Sequence, residues 1–403
     1  MALGIYISVP FCRTKCSYCN FASDVFSRTA FERYVERVCA DIGNATQIAQ
    51  EMRGKIEREV DSVYLGGGTP TVLEEGQLER IFVALRNRFD VRPDAEVTVE
   101  CAPGTLAPAV IKSLLRCGVN RVSLGVQSFV DAEAAAVGRL HKRVTVIEEI
   151  ARLRAAGIAN INIDLIAGLP HQNAESWRVS LAETVATGVP HVSVYMLEVD
   201  EDSRLGRELI AGGTRFHAHF VPGDNAVVDF YLEACEKLEA AGVNQYEISN
   251  FARAGFLSRH NLKYWTRRPY LGFGVDAHSM LVSADADAGA VRFATSDALE
   301  QYIAGAPLTR TVVSRSSALE ESFFLGLRLT GGVNLPELSA TFGDPVVGSF
   351  RDTIAELVEA GLMRHDSGFI RLTARGRLVS NEVFEKFLLP EEVLRATPPL
   401  VLD

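Results

Sequence analysis

The first 200 residues of this chain alternate between short β-branched runs and longer helical segments. This rhythm constrains the fold more than any other feature of the sequence. Val and Ile dominate the short runs and favour extended backbone. Repeated βα units form a parallel sheet with helices outside it. We count six such units, fewer than the eight of a closed barrel, and predict an open, partial parallel βα barrel.

The boundaries of these units follow from the apolar runs and from the glycines that end helices. The predicted strands are 4–9, 60–65, 96–100, 121–126, 161–166 and 191–197. The predicted helices are 29–50, 75–89, 107–116, 132–137, 175–186 and 227–241.

A chain of 403 residues is long enough for more than one domain, at roughly 150 residues each. We predict the barrel over 1–255, a less regular connecting segment over 256–312, a smaller winged-helix-like α+β domain over 313–390 and a tail over 391–403. Residues 320–386 carry ten acidic and seven basic side chains, so this domain is interpreted as a protein- or ligand-facing cap.

The net charge of -10 argues against nucleic acid as the main partner, because phosphate binding needs a basic surface. The sequence predicts no membrane-spanning segment and no signal peptide. Its seven cysteines, an odd number, are therefore interpreted as reduced thiols with a metal or redox role.

Three of the cysteines, Cys12, Cys16 and Cys19, crowd into eight positions after the first predicted strand. A [4Fe–4S] cluster normally uses four thiolates, so three would leave one iron open to another ligand. A zinc site completed by a histidine, or three structural cysteines, are the alternatives. The remaining cysteines, with no mutual spacing, are expected to be buried: Cys39, Cys101, Cys117 and Cys235.

Polar residues follow the other strands at their carboxyl ends, where ligands sit in parallel βα barrels. We expect them to converge on one mouth: the glycines of "GGGTP" (66–70), Glu100, Gln127, Arg139, His141, Asp164, Tyr195 and Glu198. Each has a simpler explanation, since a rim turn needs glycine and a strand-end carboxylate is often only solvated.

Several segments resemble a known family. "YISVPFCRTKCSYCNF" is similar to the CxxxCxxC signature of radical S-adenosylmethionine (SAM) enzymes. "YLGGGTPT", "GVQSF", "GRLH", "IDLIAGLP", "YEISNFARAGFLSRHNLKYW" and "YLGFGVDAHS" resemble its coproporphyrinogen dehydrogenase branch, and within it the HemW-type heme chaperones. The likeness runs from Tyr6 to about Leu388.

The resemblance implies a cluster on Cys12, Cys16 and Cys19, with SAM chelating the open iron. It implies SAM contacts at Tyr6, Gly67, Gly68, Thr69 and Glu100. It also implies that Tyr18, Gln127, Arg139 and Asp164 match positions that hold a second SAM in the dehydrogenases, so that one or two molecules would bind.

Two departures favour the chaperones over the dehydrogenase. Phe21 stands where the dehydrogenase has a further cysteine, and only eleven residues precede Cys12. In "HNLKYW" (260–265), His260 is the candidate axial ligand of heme, with His278 second and His141 weaker. A single histidine beside aromatic residues is nevertheless more often structural.

Three functions remain in competition: heme delivery to hemoproteins, methyl transfer or heme modification by a radical SAM enzyme, and coproporphyrinogen III dehydrogenation as the least favoured. Family resemblance points to respiratory hemoproteins as heme acceptors. That would make the protein cytoplasmic and bring it to the inner face of the membrane without spanning it.

Overall fold

The computed structural model describes residues 1–285 and 288–389, so the predicted tail 391–403 lies outside the described residues. Its strands are β1 Leu3–Val9, β2 Gly54–Lys55, β3 Glu59–Gly67, β4 Asp90–Cys101, β5 Arg121–Gln127, β6 Asn160–Ala167, β7 His191–Met196, β8 Asn244–Gln245, β9 Asn250–Ala252, β10 Tyr270–Gly274, β11 His278–Ser283, β12 Ala288–Ala294, β13 Thr309–Ser314, β14 Val333–Asn334, β15 Met363–Asp366 and β16 Phe369–Leu372.

The helices lie mainly between these strands. They are α1 Arg28–Gly43, α2 Ala45–Glu51, α3 Glu75–Arg88, α4 Pro108–Arg116, α5 Asp131–Ala136, α6 Arg143–Ala155, α7 Ala174–Thr187, α8 Arg204–Ala211, α9 Asp224–Ala240, α10 Arg259–Trp265, α11 Leu299–Ala304, α12 Arg315–Leu327, α13 Leu335–Phe342, α14 Asp344–Gly348, α15 Arg351–Glu359, α16 Ala374–Leu378 and α17 Ser380–Glu385.

The six predicted strands lie side by side in parallel pairing, in the order β1-β3-β4-β5-β6-β7. The sheet does not close on itself, which confirms the predicted open, partial βα barrel. β9 and β8 follow β7 in antiparallel pairing at one end. Alternate residues of β1 (Leu3, Ile5, Ile7 and Val9) are fully buried in the main core.

The sequence predicted only a less regular connecting segment over 256–312, but this segment forms further strands of the large sheet. β10 pairs in parallel with β1, and β11, β12 and β13 continue the same sheet in antiparallel pairing. At Gly272, inside β10, a side chain would meet the backbone oxygen of His278 at 2.3 Å, so the close approach of β10 and β11 requires glycine there.

The C-terminal unit confirms the predicted winged-helix-like domain. A three-stranded sheet in the order β14-β16-β15 packs with α12–α17 around a separate apolar core. Phe323 lies at its centre, with ring centroids 4.7 Å from Phe387 and 4.8 Å from Phe350. Among the described residues, no helix combines the length and apolar composition that crossing a bilayer requires.

Candidate functional site

A cavity of about 720 Å³ opens at the carboxyl ends of β1 and β3–β7. We call it the main cavity. It is lined by eleven of the predicted site residues: Cys12, Cys16, Cys19, Tyr18, Gly67, Gly68, Thr69, Glu100, Gln127, Arg139 and Asp164. His141, Tyr195 and Glu198 lie there as well. The strands therefore bring together residues that are up to 186 positions apart between Cys12 and Glu198.

The cysteine loop is fixed by backbone hydrogen bonds at both ends. The Cys12 amide donates to Asp24 O at 3.0 Å, and the Asp24 amide donates to Pro10 O at 2.9 Å. The Ser17 amide donates to Val137 O at 3.1 Å, between two of the cysteines. These hydrogen bonds connect the cysteine loop to the segment that follows it and to the end of α5.

The three cysteines border one space with free thiols. Burial raises the pKa of the Cys12 thiol, so without a bound metal it is held protonated. Among residues 1–285 and 288–389, no three His, Cys, Asp or Glu side chains converge where one metal ion would be held. Thiolates of a four-iron cluster each bind a different iron, so they need only face the same space.

The glycines of "GGGTP" make room for the neighbouring functional groups. A side chain at Gly68 would meet the Cys12 Sγ at 3.0 Å and Phe11 O at 2.6 Å. A side chain at Gly66 would meet the Glu100 carboxyl carbon at 2.9 Å. The Thr69 amide donates to Phe11 O at 2.7 Å, which joins this loop to the cysteine loop.

Glu100 stands at the end of β4 with its carboxyl in the cavity wall. It accepts a 2.7 Å hydrogen bond from the Tyr64 hydroxyl. Burial, with a smaller contribution from Asp164, raises its pKa to about 7. Burial also raises the pKa of Asp164, which accepts hydrogen bonds from Ser123 at 3.0 Å and Asn162 at 2.7 Å. A positively charged ligand would favour the ionised form of both carboxyls, Glu100 and Asp164.

Two polar side chains in the wall lack part of their hydrogen bonding among the described residues. They are Gln127, through its Oε1, and Arg139, through its Nε. Arg139 also donates to the Tyr18 hydroxyl at 3.0 Å. Gln127 has a φ of 67°, a left-handed conformation that is strained for this residue type. Unpaired buried polar atoms and a strained backbone both fit a polar ligand in this cavity.

Sequence reasoning missed several residues of the cavity floor. Arg121 is 1% exposed, and its Nε lacks a partner within the described ranges. The other floor residues are Tyr64, Ser123, Asn162 and Ser193. The available signal was the alternation of polar residues along β5, β6 and β7, which places every second side chain on the inner face.

Three predicted residues do not line the main cavity. Tyr6 and His278 line a second cavity of about 270 Å³, which shares Gly67 with the main cavity. His260 is 1% exposed; its Nδ1 lies 3.1 Å from the Ser62 hydroxyl and its Nε2 lies 2.9 Å from the Tyr264 hydroxyl. Burial lowers the His260 pKa to about 3, so the ring is neutral. Iron ligation by His260 would require one of these hydrogen bonds to break, and it stays a prediction.

Residues 6–183 match the family model described as the Radical SAM superfamily, and residues 313–379 match the HemN C-terminal domain. "Heme chaperone HemW" of Lactococcus lactis is 33% identical over 96% of this chain and 97% of its own length. The protein of the same name in Bacillus subtilis is 34% identical over 95% of this chain and 98% of its own.

This chain belongs to the HemW family of the radical SAM superfamily. The predicted resemblance is thereby confirmed. A solved structure described as coproporphyrinogen III oxidase (HemN) from Escherichia coli, a radical SAM enzyme, aligns with a TM-score of 0.82 at 23% identity, covering 96% of this chain and 90% of that one. That likeness shows a shared fold.

Proposed function

We propose that this protein is a heme chaperone that binds a [4Fe–4S] cluster, SAM and heme, and delivers the heme to hemoproteins. The observation that carries the proposal is the single cavity in which three free cysteines face a glycine loop and two carboxyls. The names of the HemW relatives support heme as the cargo.

In this proposal Cys12, Cys16 and Cys19 hold the cluster. With SAM bound, the cluster would act at the mouth of the main cavity either by reduction or through its charge. Gly67, Gly68 and Thr69 offer backbone that a ligand can approach closely. Glu100 offers negative charge to a sulfonium cation.

A second SAM would lie against the opposite wall of the main cavity. Tyr18, Gln127, Arg139 and Asp164 line that wall, and the unpaired atoms of Gln127 and Arg139 offer one acceptor and one donor. A carboxylate and an amino group, such as those of SAM, would satisfy both.

We propose a cytoplasmic protein whose acceptors are respiratory hemoproteins, met at the inner face of the membrane. The decisive experiment loads the anaerobically reconstituted chain with hemin, adds an apo-hemoprotein and follows the transfer of heme by absorption spectroscopy. Saturable binding followed by transfer supports the chaperone. Conversion of heme or coproporphyrinogen to a new product, coupled to SAM consumption, would instead identify an enzyme.

A further inference from the structure

The main cavity reaches deeper into the barrel than the residues proposed for SAM. Alternate residues along β5 line it: Arg121, Ser123, Gly125 and Gln127. Because Arg121 is the first residue of β5 and Gln127 is the last, the cavity follows the whole strand, about 20 Å at the rise per residue of a parallel strand. Ser123 is the register partner of Glu100, so Arg121 lies one pleat repeat below that carboxyl. A floor therefore remains beneath the proposed SAM residues.

Arg121 is a buried cation without a partner. It is 1% exposed, it makes neither an ion pair nor a side-chain hydrogen bond with the described residues, and its Nε is a buried atom left unsatisfied. Lys263, a buried lysine of α10, shows the usual arrangement, since its Nζ lies 2.6 Å from Asp61 Oδ1. Arginine stays protonated, and burial of an unpaired charge costs free energy. The guanidinium of Arg121 therefore favours an anion at the cavity floor.

The carboxyls on the two strands beside β5 do not supply this anion. Glu96 of β4 accepts hydrogen bonds from the backbone amides of Arg259 at 3.1 Å and His260 at 3.2 Å. Burial raises the pKa of Glu100 to about 7 and also raises the pKa of Asp164, while the charge of Arg121 acts in the opposite direction on both. None of the three carboxyls forms an ion pair with Arg121, so the charge is left for a ligand.

We propose that Arg121 binds the carboxylate of a short hydroxy acid at the floor of the main cavity, beneath the site proposed for SAM. This inference adds a ligand to the proposed function and does not rest on heme delivery. The planar fork of a guanidinium matches the two oxygens of a carboxylate, which is the strongest pairing open to a buried arginine.

The hydroxyl groups around the floor indicate a polar acid. Tyr64, Ser123 and Ser193 line this part of the cavity. The Tyr64 hydroxyl donates its proton to Glu100, so its oxygen is left to accept a hydrogen bond. A hydroxyl group on the ligand would donate that bond, whereas an aliphatic chain would leave the oxygen unsatisfied.

The test is equilibrium dialysis of the reconstituted full-length chain against ¹⁴C-glycolate at pH 7. The parent chain should bind one glycolate, and glycolamide, the uncharged analogue, should not compete. Arg121→Met should bind glycolate at least about tenfold more weakly, because a hydrogen bond to a charged group contributes that factor in affinity. Arg121→Lys, which keeps the charge but loses the fork, should lie between the two.

Two further arginine variants locate the site within the chain. Arg139→Met removes the cation of the upper cavity wall, and Arg154→Met removes an exposed arginine of α6. Both should bind glycolate as the parent chain does. Loss of binding in Arg139→Met with full binding in Arg121→Met would move the anion to the upper wall and overturn the proposal.

Competition separates a free acid from the amino-acid end of SAM. Glycolate should stay bound in the presence of saturating SAM. Displacement by SAM but not by 5′-methylthioadenosine, which lacks the carboxylate, would assign Arg121 to SAM and overturn the second ligand. Acetate binding as tightly as glycolate would overturn the role of the ligand hydroxyl.

Iron content and circular dichroism establish that each variant is folded. If Arg121→Met does not fold, a crystal structure of the parent chain with glycolate decides the matter. Density for the acid beside the guanidinium of Arg121 supports the proposal, and a floor that holds water alone overturns it. Each of these outcomes is independent of hemin transfer, which tests the chaperone function.

Discussion

The Tyr64 hydroxyl donates a 2.7 Å hydrogen bond to Glu100 at the inner wall of the main cavity. The Tyr64 ring also lies 5.4 Å from the ring of His260, which in turn contacts Tyr264 in the wall of the second cavity. A continuous row of polar aromatic side chains thus joins Glu100 in the main cavity to the second cavity.

Glu100 should make SAM binding depend on pH. Its pKa is raised to about 7 by burial, so the carboxyl is neutral below that pH and attracts a sulfonium cation only above it. We expect SAM affinity of the reconstituted chain to fall as pH drops from 8 to 6. At pH 8, Glu100→Gln should weaken binding by about tenfold, on the order of 1.4 kcal/mol. Isothermal titration calorimetry at several pH values measures both effects.

The control for this prediction is Glu337→Gln, an acidic residue at the first turn of α13 in the C-terminal domain. It should leave both affinity and pH dependence unchanged. If Glu100→Gln kept the pH dependence of the parent chain, another group would have to carry the charge.

Cys16→Ser should abolish the cluster, because the cysteine loop would then offer two thiolates, Cys12 and Cys19, to four irons. Iron and sulfide analysis after anaerobic reconstitution measures the loss. Cys117→Ser is the matched control: Cys117 lies in the main core after α4, and burial raises its pKa to about 11. Equal iron content in the two variants would contradict the assignment of the cysteines.

Arg139→Met should remove one SAM from the chain. Its guanidinium donates to the Tyr18 hydroxyl, and its Nε, which has no partner among the described residues, lies in the wall of the main cavity. We expect equilibrium dialysis to give two SAM per parent chain and one per Arg139→Met chain, with iron content unchanged. A stoichiometry of one in both would restrict the cavity to a single SAM.

Phe323→Ala should destabilise the C-terminal domain by about 3–5 kcal/mol, the usual cost of emptying a buried aromatic site. Phe323 is fully buried between Phe350 and Phe387. Denaturant unfolding followed by fluorescence and circular dichroism measures the change. Phe220→Ala removes a ring that is 57% exposed and should change stability far less. Similar losses in the two variants would argue against a separate, tightly packed C-terminal core.

The boundaries of the parallel βα units were largely predictable, because apolar β-branched runs and helix-ending glycines are local signals. The predicted strand 161–166 is observed as Asn160–Ala167, and the predicted helix 175–186 is observed as Ala174–Thr187. The predicted helix 29–50 was wrong in one respect: it breaks at Asn44, where φ is -90° and ψ is 6°. The helices Arg143–Ala155 and Arg204–Ala211 were missed.

The sequence by itself determined that polar residues follow parallel strands and must therefore meet at one edge of the sheet. Only the tertiary structure decided which of them share a cavity. β10 pairs with β1 in register Tyr6↔Gly272, and this contact between distant segments places Tyr6 and His278 around a second cavity. His260 is buried where α10 packs against β3 and β4, with its Nδ1 near the Ser62 hydroxyl and its amide donating to Glu96. Strand pairing across more than 260 residues depends on the burial of whole elements, which no local pattern encodes.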